Sequence, residues 1–332
     1  MANNTTTTSG LTDQFQTFFD KKLLDYAVQA LKLDQFANKA TLPKNAGSKV
    51  IRFFQYGEPT TTATGAMAAL TEGVAPTDYR VLEMTTVDAT LAHLGEVIGV
   101  TDLMSATDLL GTLKQATVTA GQDAALKADT LIRDELVNNG DTDESDSRTK
   151  RWSGASTTSA ELDADGTTAA DFAAVDLLDG CTNLKINRAP MIDGGYVAVM
   201  APEVSRDLMN DNDWLEAHKY SDVKPLYKGE AGSIHGVRVV EATNPYKEAS
   251  GSKGAFNAAG TVFSTIITGA NSYGVPSLAG DSPMSPKIVI ADTPDKSDPL
   301  NQLTTIGFKL FYCAKALNTN WFIVHRSKSA YA

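Results

Sequence analysis

The chain has 332 residues, 42% of them hydrophobic and 21% charged, which is enough to bury a substantial core and unlike a disordered composition. Its formal charge of −11 excludes a broad basic face for free nucleic-acid binding. Two cysteines far apart, Cys181 and Cys313, indicate neither a disulfide framework nor a zinc site, and neither a basic-then-apolar leader nor a membrane-length apolar run is expected.

In chain order, residues 1–10 are polar and small and read as an arm that orders on contact. From Phe15 to Phe36 the residues Phe15, Phe18, Phe19, Leu23, Tyr26, Ala27 and Leu31 recur at helical spacing and predict an amphipathic helix. A turn over Leu42 to Lys49 leads into VIRFFQY, Val50 to Tyr56, a predicted strand. The tract from Thr60 to Asp78 then holds nineteen residues with two charges, Glu72 and Asp78, and no structural period. Beyond it, Val87, Ala89 and Leu91 alternate with Asp88 and Thr90, the pattern of a half-buried strand. Two strands around a soft tract predict a hairpin-like finger, whose uncharged tip fits a surface outside its own body. Ser105 to Gly140 carries the strongest helix signal, with Ser105 and Asp108 as a capping box and Gly140 as the stop. A continuous helix there would be about 50 Å long at 1.5 Å per residue.

Asp141 to Gly166, an acidic block and then a basic one, predicts a surface excursion. A further helix is expected from Thr168 with Phe172, Val175 and Leu184, then a strand at YVAVMAP and a helix with Val204 and Leu208. Strands are predicted at GVRVVEA, VFSTIIT and KIVIA, and a β-hairpin from Phe308 to Ser327.

No catalytic, cofactor or metal site emerges. His93, His218, His235 and His325 stand in no ligand spacing and read as packed or surface residues. GSIHG places its serine second, not at the centre of a nucleophile elbow. Asp141, Asp143 and Ser145 begin like a calcium loop, but Asp146 replaces the turn glycine and Trp152 the bidentate glutamate. No phosphate-cradling glycine motif follows a strand, and Cys313 reads as a small core residue. A lidded enzyme would need a nucleophile or metal set that the sequence does not offer.

Four segments carry a resemblance instead. They are GLTDQFQTFFDKKLLDYAVQALKLDQFANKATLPKNAGSKVIRF, MIDGGYVAVMAPEVSRDLMNDNDWLEAHKY, YKGEAGSIHGVRVVEATNP and SDPLNQLTTIGFK. In order and spacing they resemble the major capsid proteins of podoviruses related to the coliphage with a virion-carried RNA polymerase, over most of residues 10–326. The resemblance implies an α+β, Hong Kong phage-type major capsid fold. It implies an N-arm over 1–48, an E-loop with flanking strands over 49–100 and a P-domain spine helix over 101–140. A polar surface insertion over 141–167, an A-domain over 168–285 and returning P-domain strands over 286–332 follow. It further implies pentamers and hexamers of this chain enclosing double-stranded DNA in a virion. A scaffolding protein, a portal and a decoration protein are implied partners, with assembly in the host bacterial cytoplasm and no membrane or cofactor. The negative charge accords with holding DNA without gripping it. Candidate inter-subunit contacts are Thr62, Gly65, Met67, Leu70 and Glu72 in the finger tip, with Arg52 and Glu83 on its strands. An encapsulin-like nanocompartment shell is the alternative.

Overall fold

The computed structural model describes residues 32–45, 47–57, 72–75, 83–107, 112–139, 150–154, 156, 159–164, 170–218, 230–248, 256–257, 259–279, 287–291, 298–300 and 302–331. Leu33–Phe36 make a single 3-10 turn before β1 (Asn38–Leu42). β2 (Val50–Tyr56) pairs antiparallel with β3 (Met84–Thr90), from Val50 opposite Thr90 to Tyr56 opposite Met84. β4 (Ala92–Thr101) runs into α1 (Asp102–Thr107), followed by α2 (Thr112–Asn139). Next come β5 (Lys150–Trp152), α3 (Ser159–Ala164), α4 (Ala174–Ile186), β6 (Tyr196–Met200), α5 (Pro202–Met209) and α6 (Asn212–His218). β7 (Glu230–Ile234), β8 (Val237–Glu241), β9 (Tyr246–Glu248) and β10 (Val262–Thr268) follow. The remaining strands are β11 (Tyr273–Leu278), β12 (Lys287–Ala291), β13 (Leu303–Tyr312), β14 (Lys315–Ala316) and β15 (Phe322–Ser327).

These strands form two sheets besides the β2–β3 ribbon. The smaller has the order β1-β11-β13-β12, with β4 along β13 and β14 on β11. The larger has the order β5-β15-β10-β6-β8-β7, with β9 beside β10. β6 is buried along its whole length because both its faces are covered, which is why its sequence is apolar throughout. Val197 and Val199 share a core with α2, whereas Tyr196, Ala198 and Met200 share one with Leu177, Cys181 and Leu184 of α4 and Val204 and Leu208 of α5. The buried face of α2 is small at Ala120, Ala124, Ala125 and Ala128 and larger at Ile132 and Leu136. It packs in one cluster with Val324 and Ile266 of the larger sheet and with Phe308, Leu310, Tyr273 and Val275 of the smaller. One helix therefore holds both sheets.

Several sequence expectations change. Phe308 to Ser327 is not a hairpin: β13 pairs with β4 and β12, and β15 pairs with β10 and β5, so the two strands enter different sheets. The expected surface excursion over 141–166 contains β5, a parallel edge strand on β15, and α3, whose Leu162 is fully buried. Ser105 lies inside α1 instead of capping it; Thr101 takes that role, its Oγ1 accepting from the Met104 amide at 3.3 Å. α4 starts at Ala174, after Phe172, and Val175 faces outward. β1 falls between the helix expected to Phe36 and the turn expected from Leu42, and neither it nor β11 was anticipated. The predicted helix from Phe15 lies outside the described residues before Lys32.

The chain entering β1 is clamped onto α2. Asp129 is 2% exposed, and its Oδ1 accepts from the amides of Lys32 at 3.2 Å and Leu33 at 3.0 Å. Beside it Asp34 pairs with Lys39 at 2.6 Å and accepts from the Tyr312 hydroxyl at 3.3 Å, while the Tyr273 hydroxyl donates to the Leu33 carbonyl at 2.6 Å. Burial raises the Asp129 carboxyl above its ordinary range, against the two amides and Arg133, which lower it. A raised folded value means the native state binds more protons than the unfolded chain just above the ordinary aspartate range. The contribution of this group to stability is complete below that range and falls as pH rises through it. Asp129→Asn removes this titration. Its urea midpoint relative to the parent should improve as pH rises from about 4 to 6; a constant difference would refute the assignment.

A second buried charge ties the larger sheet together. Arg326 on β15, 2% exposed, bonds through Nε to Glu248 Oε1 on β9 at 3.1 Å, across β10. The Trp152 ring lies 5.2 Å from its guanidinium. The segment expected as a polar excursion thus helps to cover this pair.

Candidate functional site

The β2–β3 ribbon pairs with no third strand among the described residues. Isolated two-stranded ribbons are marginal in water, so its faces matter. Ile51, Phe53 and Gln55 are half-buried. Phe53 rests on β11 where a side chain is missing: a Cβ on Gly274 would stand 2.9 Å from Phe53 Cζ. The base is closed by the Leu91 amide on the Lys49 carbonyl at 2.9 Å, and the ladder continues to Gly57 on Glu83 at 2.8 Å.

The opposite face carries Arg52, Phe54 and Tyr56 across from Asp88, Thr86 and Met84. Phe54 is 62% exposed, Tyr56 65% and Met84 52%. Arg52 grips Asp88 through two bonds, Nε–Oδ1 at 2.6 Å and Nη2–Oδ2 at 2.7 Å. That hydrogen bonding lowers the Asp88 carboxyl below the ordinary range and raises the guanidinium. The face is thus a neutralised ion pair followed by an uncovered apolar strip. Two further regions expose apolar side chains. Val97, Leu103, Met104, Leu300 and Leu303 lie around the β4–β13 end of the smaller sheet and α1, and Val175, Leu178 and Ile186 follow one side of α4. Grouped apolar exposure of this kind marks interaction surfaces, whereas single exposed apolar residues do not.

Of the residues expected to make contacts, Arg52 lies on the outward ribbon face, committed to Asp88 within the chain. Glu83 ends the ribbon beside Gly57, and Glu72 is exposed in a turn. Thr62, Gly65, Met67 and Leu70 lie outside the described residues. Sequence reasoning passed over Phe54, Tyr56 and Met84. The signal was present, since alternate positions of VIRFFQY place both aromatics with Arg52 on one face.

One constellation looks catalytic at first. Ser153 Oγ lies 2.9 Å from His325 Nε2 and 3.2 Å from Asp176 Oδ2. The carboxylate approaches the same Nε2, at 3.6 Å, instead of orienting the ring through its other nitrogen. Ser153 and His325 are fully buried, so the hydroxyl meets no substrate. The trio joins β15, α4 and the turn after β5 as packing. His93 likewise stacks on Phe311, centroids 4.6 Å apart. Among the described residues no three His, Cys, Asp or Glu side chains gather as metal ligands, and no helix is long and apolar enough to cross a membrane.

Residues 124–281 match the family described as phage capsid protein. No curated protein matches in sequence. Among solved structures, the capsid of the cyanophage P-SCSP1u is similar with a TM-score of 0.64 at 14% identity, covering 91% of this chain and 89% of that one. The capsid of Ralstonia phage GP4 gives 0.63 at 13% identity, covering 90% and 92%. The holo-SrpI encapsulin complex from Synechococcus elongatus PCC 7942 gives 0.52 at 9% identity, covering 90% and 87%. The chain has the Hong Kong phage-type capsid fold.

Proposed function

We propose that this chain is the major capsid protein of a tailed bacteriophage, many copies of which close into an icosahedral shell around double-stranded DNA. The observation that carries this reading is a capsid fold spanning about nine-tenths of the chain, joined to a ribbon whose outward face is apolar and uncovered. A lone subunit has no use for Phe54, Tyr56 and Met84 in water; a neighbouring copy supplies their partner. The ribbon serves as the E-loop, α2 as the spine helix and the stretch before β1 as the N-arm. The P-domain is built on the smaller sheet, which takes β11 out of the 168–285 stretch expected as A-domain, and the A-domain on the larger sheet, which takes β15 out of the 286–332 stretch expected as returning P-domain strands. Contacts through Arg52, Thr62, Gly65, Met67, Leu70, Glu72 and Glu83 belong to the same proposal. So do pentamers and hexamers, a scaffolding protein, a portal, a decoration protein, podovirus kinship and assembly in the bacterial cytoplasm.

Electron microscopy of the purified protein, alone and with its phage's scaffolding protein, beside light scattering, tests the reading. Closed shells or capsomers are the expected result. A compact monomer in both conditions would overturn it. The similarity to an encapsulin complex motivates a second reading, a nanocompartment. Shells from infected cells that protect DNA against nuclease favour the capsid; shells filled with an enzyme favour the compartment.

A further inference from the structure

β4 runs along β13 for its whole length, from Thr101 opposite Leu303 to Ala92 opposite Tyr312, and pairs with no other strand among the described residues. The register fixes which of its groups face outward. The Asp102 amide donates to the Gln302 carbonyl at 3.0 Å, so these opposed residues form a hydrogen-bonded pair. By alternation Val100, Ile98, Glu96, Leu94 and Ala92 turn their N–H and C=O groups to β13, and His93, Gly95, Val97, Gly99 and Thr101 turn theirs away. Open edges are usually blunted by lysine, proline or a bulge. β4 holds no Lys, Arg or Pro, its one acidic residue is Glu96, and its register with β13 is unbroken. Val97 at its centre is 69% exposed. Leu126 of α2, about half exposed, lines a groove along the same strand with Leu94, Gly95 and Glu96.

We propose that this edge pairs antiparallel with β4 of a second copy, about a two-fold axis through Val97. The strand's own sequence selects that partner and register. Paired this way, Val97 faces Val97, Gly95 faces Gly99 and His93 faces Thr101, so every outward N–H and C=O gains a partner. An axis through Glu96 or Ile98 leaves an outward residue unpaired, and at Glu96 it also sets two carboxylates opposite each other. On the outer face the pairing extends a row from Leu303, 45% exposed, through Thr101 to His93 of the second copy, which stacks on Phe311. The inference deepens the capsid reading, since it names one contact between copies, and its test separates the two.

The test uses the full chain with Cys313→Ser, which leaves the buried Cys181 as its one native thiol. Adding Val97→Cys should give disulfide-linked dimers on mild oxidation, because the Cα atoms of a hydrogen-bonded pair stand about 5.5 Å apart, within disulfide range. Chains carrying His93→Cys and chains carrying Thr101→Cys should link to each other when mixed and not to themselves, since eight residues of strand, roughly 26 Å, separate like from like. Val97→Lys and Val97→Glu should each lower the paired fraction roughly tenfold in sedimentation, at unchanged circular dichroism, and mixing the two should restore it. Shells in which position 97 stays unlinked would overturn the pairing and leave the capsid reading standing. Linked dimers that never close into shells would support the pairing and overturn the capsid reading. Neither links nor shells would overturn both.

Discussion

Replacing Phe54 and Tyr56 together with serine leaves a subunit as stable as its parent that no longer closes into shells. Both side chains are mostly exposed on the outward face of β2, so the folded subunit loses little; substitutions at such positions usually stay within about 0.5 kcal/mol. In a shell each aromatic would be covered, at about 1.5–3 kcal/mol per side chain. A loss of about 3 kcal/mol per contact raises the concentration needed for association by roughly 100-fold. Sedimentation gives the shell fraction and a thermal melt gives the subunit's stability. Parental shell yield at parental concentration would show that the ribbon face is not an assembly surface. Deleting residues 60–78, which leaves both strands of the ribbon in place, should give the same separation of folding from closure.

Glu248→Ala should be among the most destabilising single changes in the molecule. Glu248 and Arg326 are both almost fully buried and bonded at 3.1 Å. Removing the carboxylate strands a guanidinium inside the sheet, at a cost of about 3–5 kcal/mol. Arg326→Met combined with Glu248→Leu removes both charges and keeps the volume beside Trp152, so it should recover most of the loss. Urea unfolding followed by tryptophan fluorescence measures both. A single-variant loss below about 1 kcal/mol would mean that water relieves the stranded charge.

Strands whose apolar runs end at turn residues were legible in the sequence. VIRFFQY, VFSTIIT and KIVIA form strands with the predicted bounds, and the ribbon follows from the two flanking alternations. What local pattern does not encode is the choice of sheet. β13 and β15 look like hairpin partners because a short polar turn, NTN, separates two apolar runs. Yet their cross-strand neighbours, Gly307 with Val97 and Ile323 with Ile267, come from remote parts of the chain. β11 was obscured by Pro276, and β1 by the helical spacing that runs on to Phe36. β5 is charged at Lys150 and Arg151 because it is an edge, and an edge strand need not alternate. The same limit applies at the contact surface. Charged and tip residues drew notice as candidates, whereas Phe54 and Tyr56 resemble core residues until the backbone shows which side they take.

The route of the chain through the two sheets has a further consequence. It contributes β1 and β4 to the smaller sheet, crosses to the larger for β5 to β10, returns for β11 to β14, and crosses again for β15. Neither sheet is a contiguous piece of sequence, so neither can finish while the other waits. β10 stays open along one side until residues 322–327 have been synthesised, and β4 lacks its partner until β13 arrives. Pairing at such separations is slow, and unpaired edges invite wrong partners in the meantime. On the capsid reading, completion of both sheets would come before a subunit joins its neighbours.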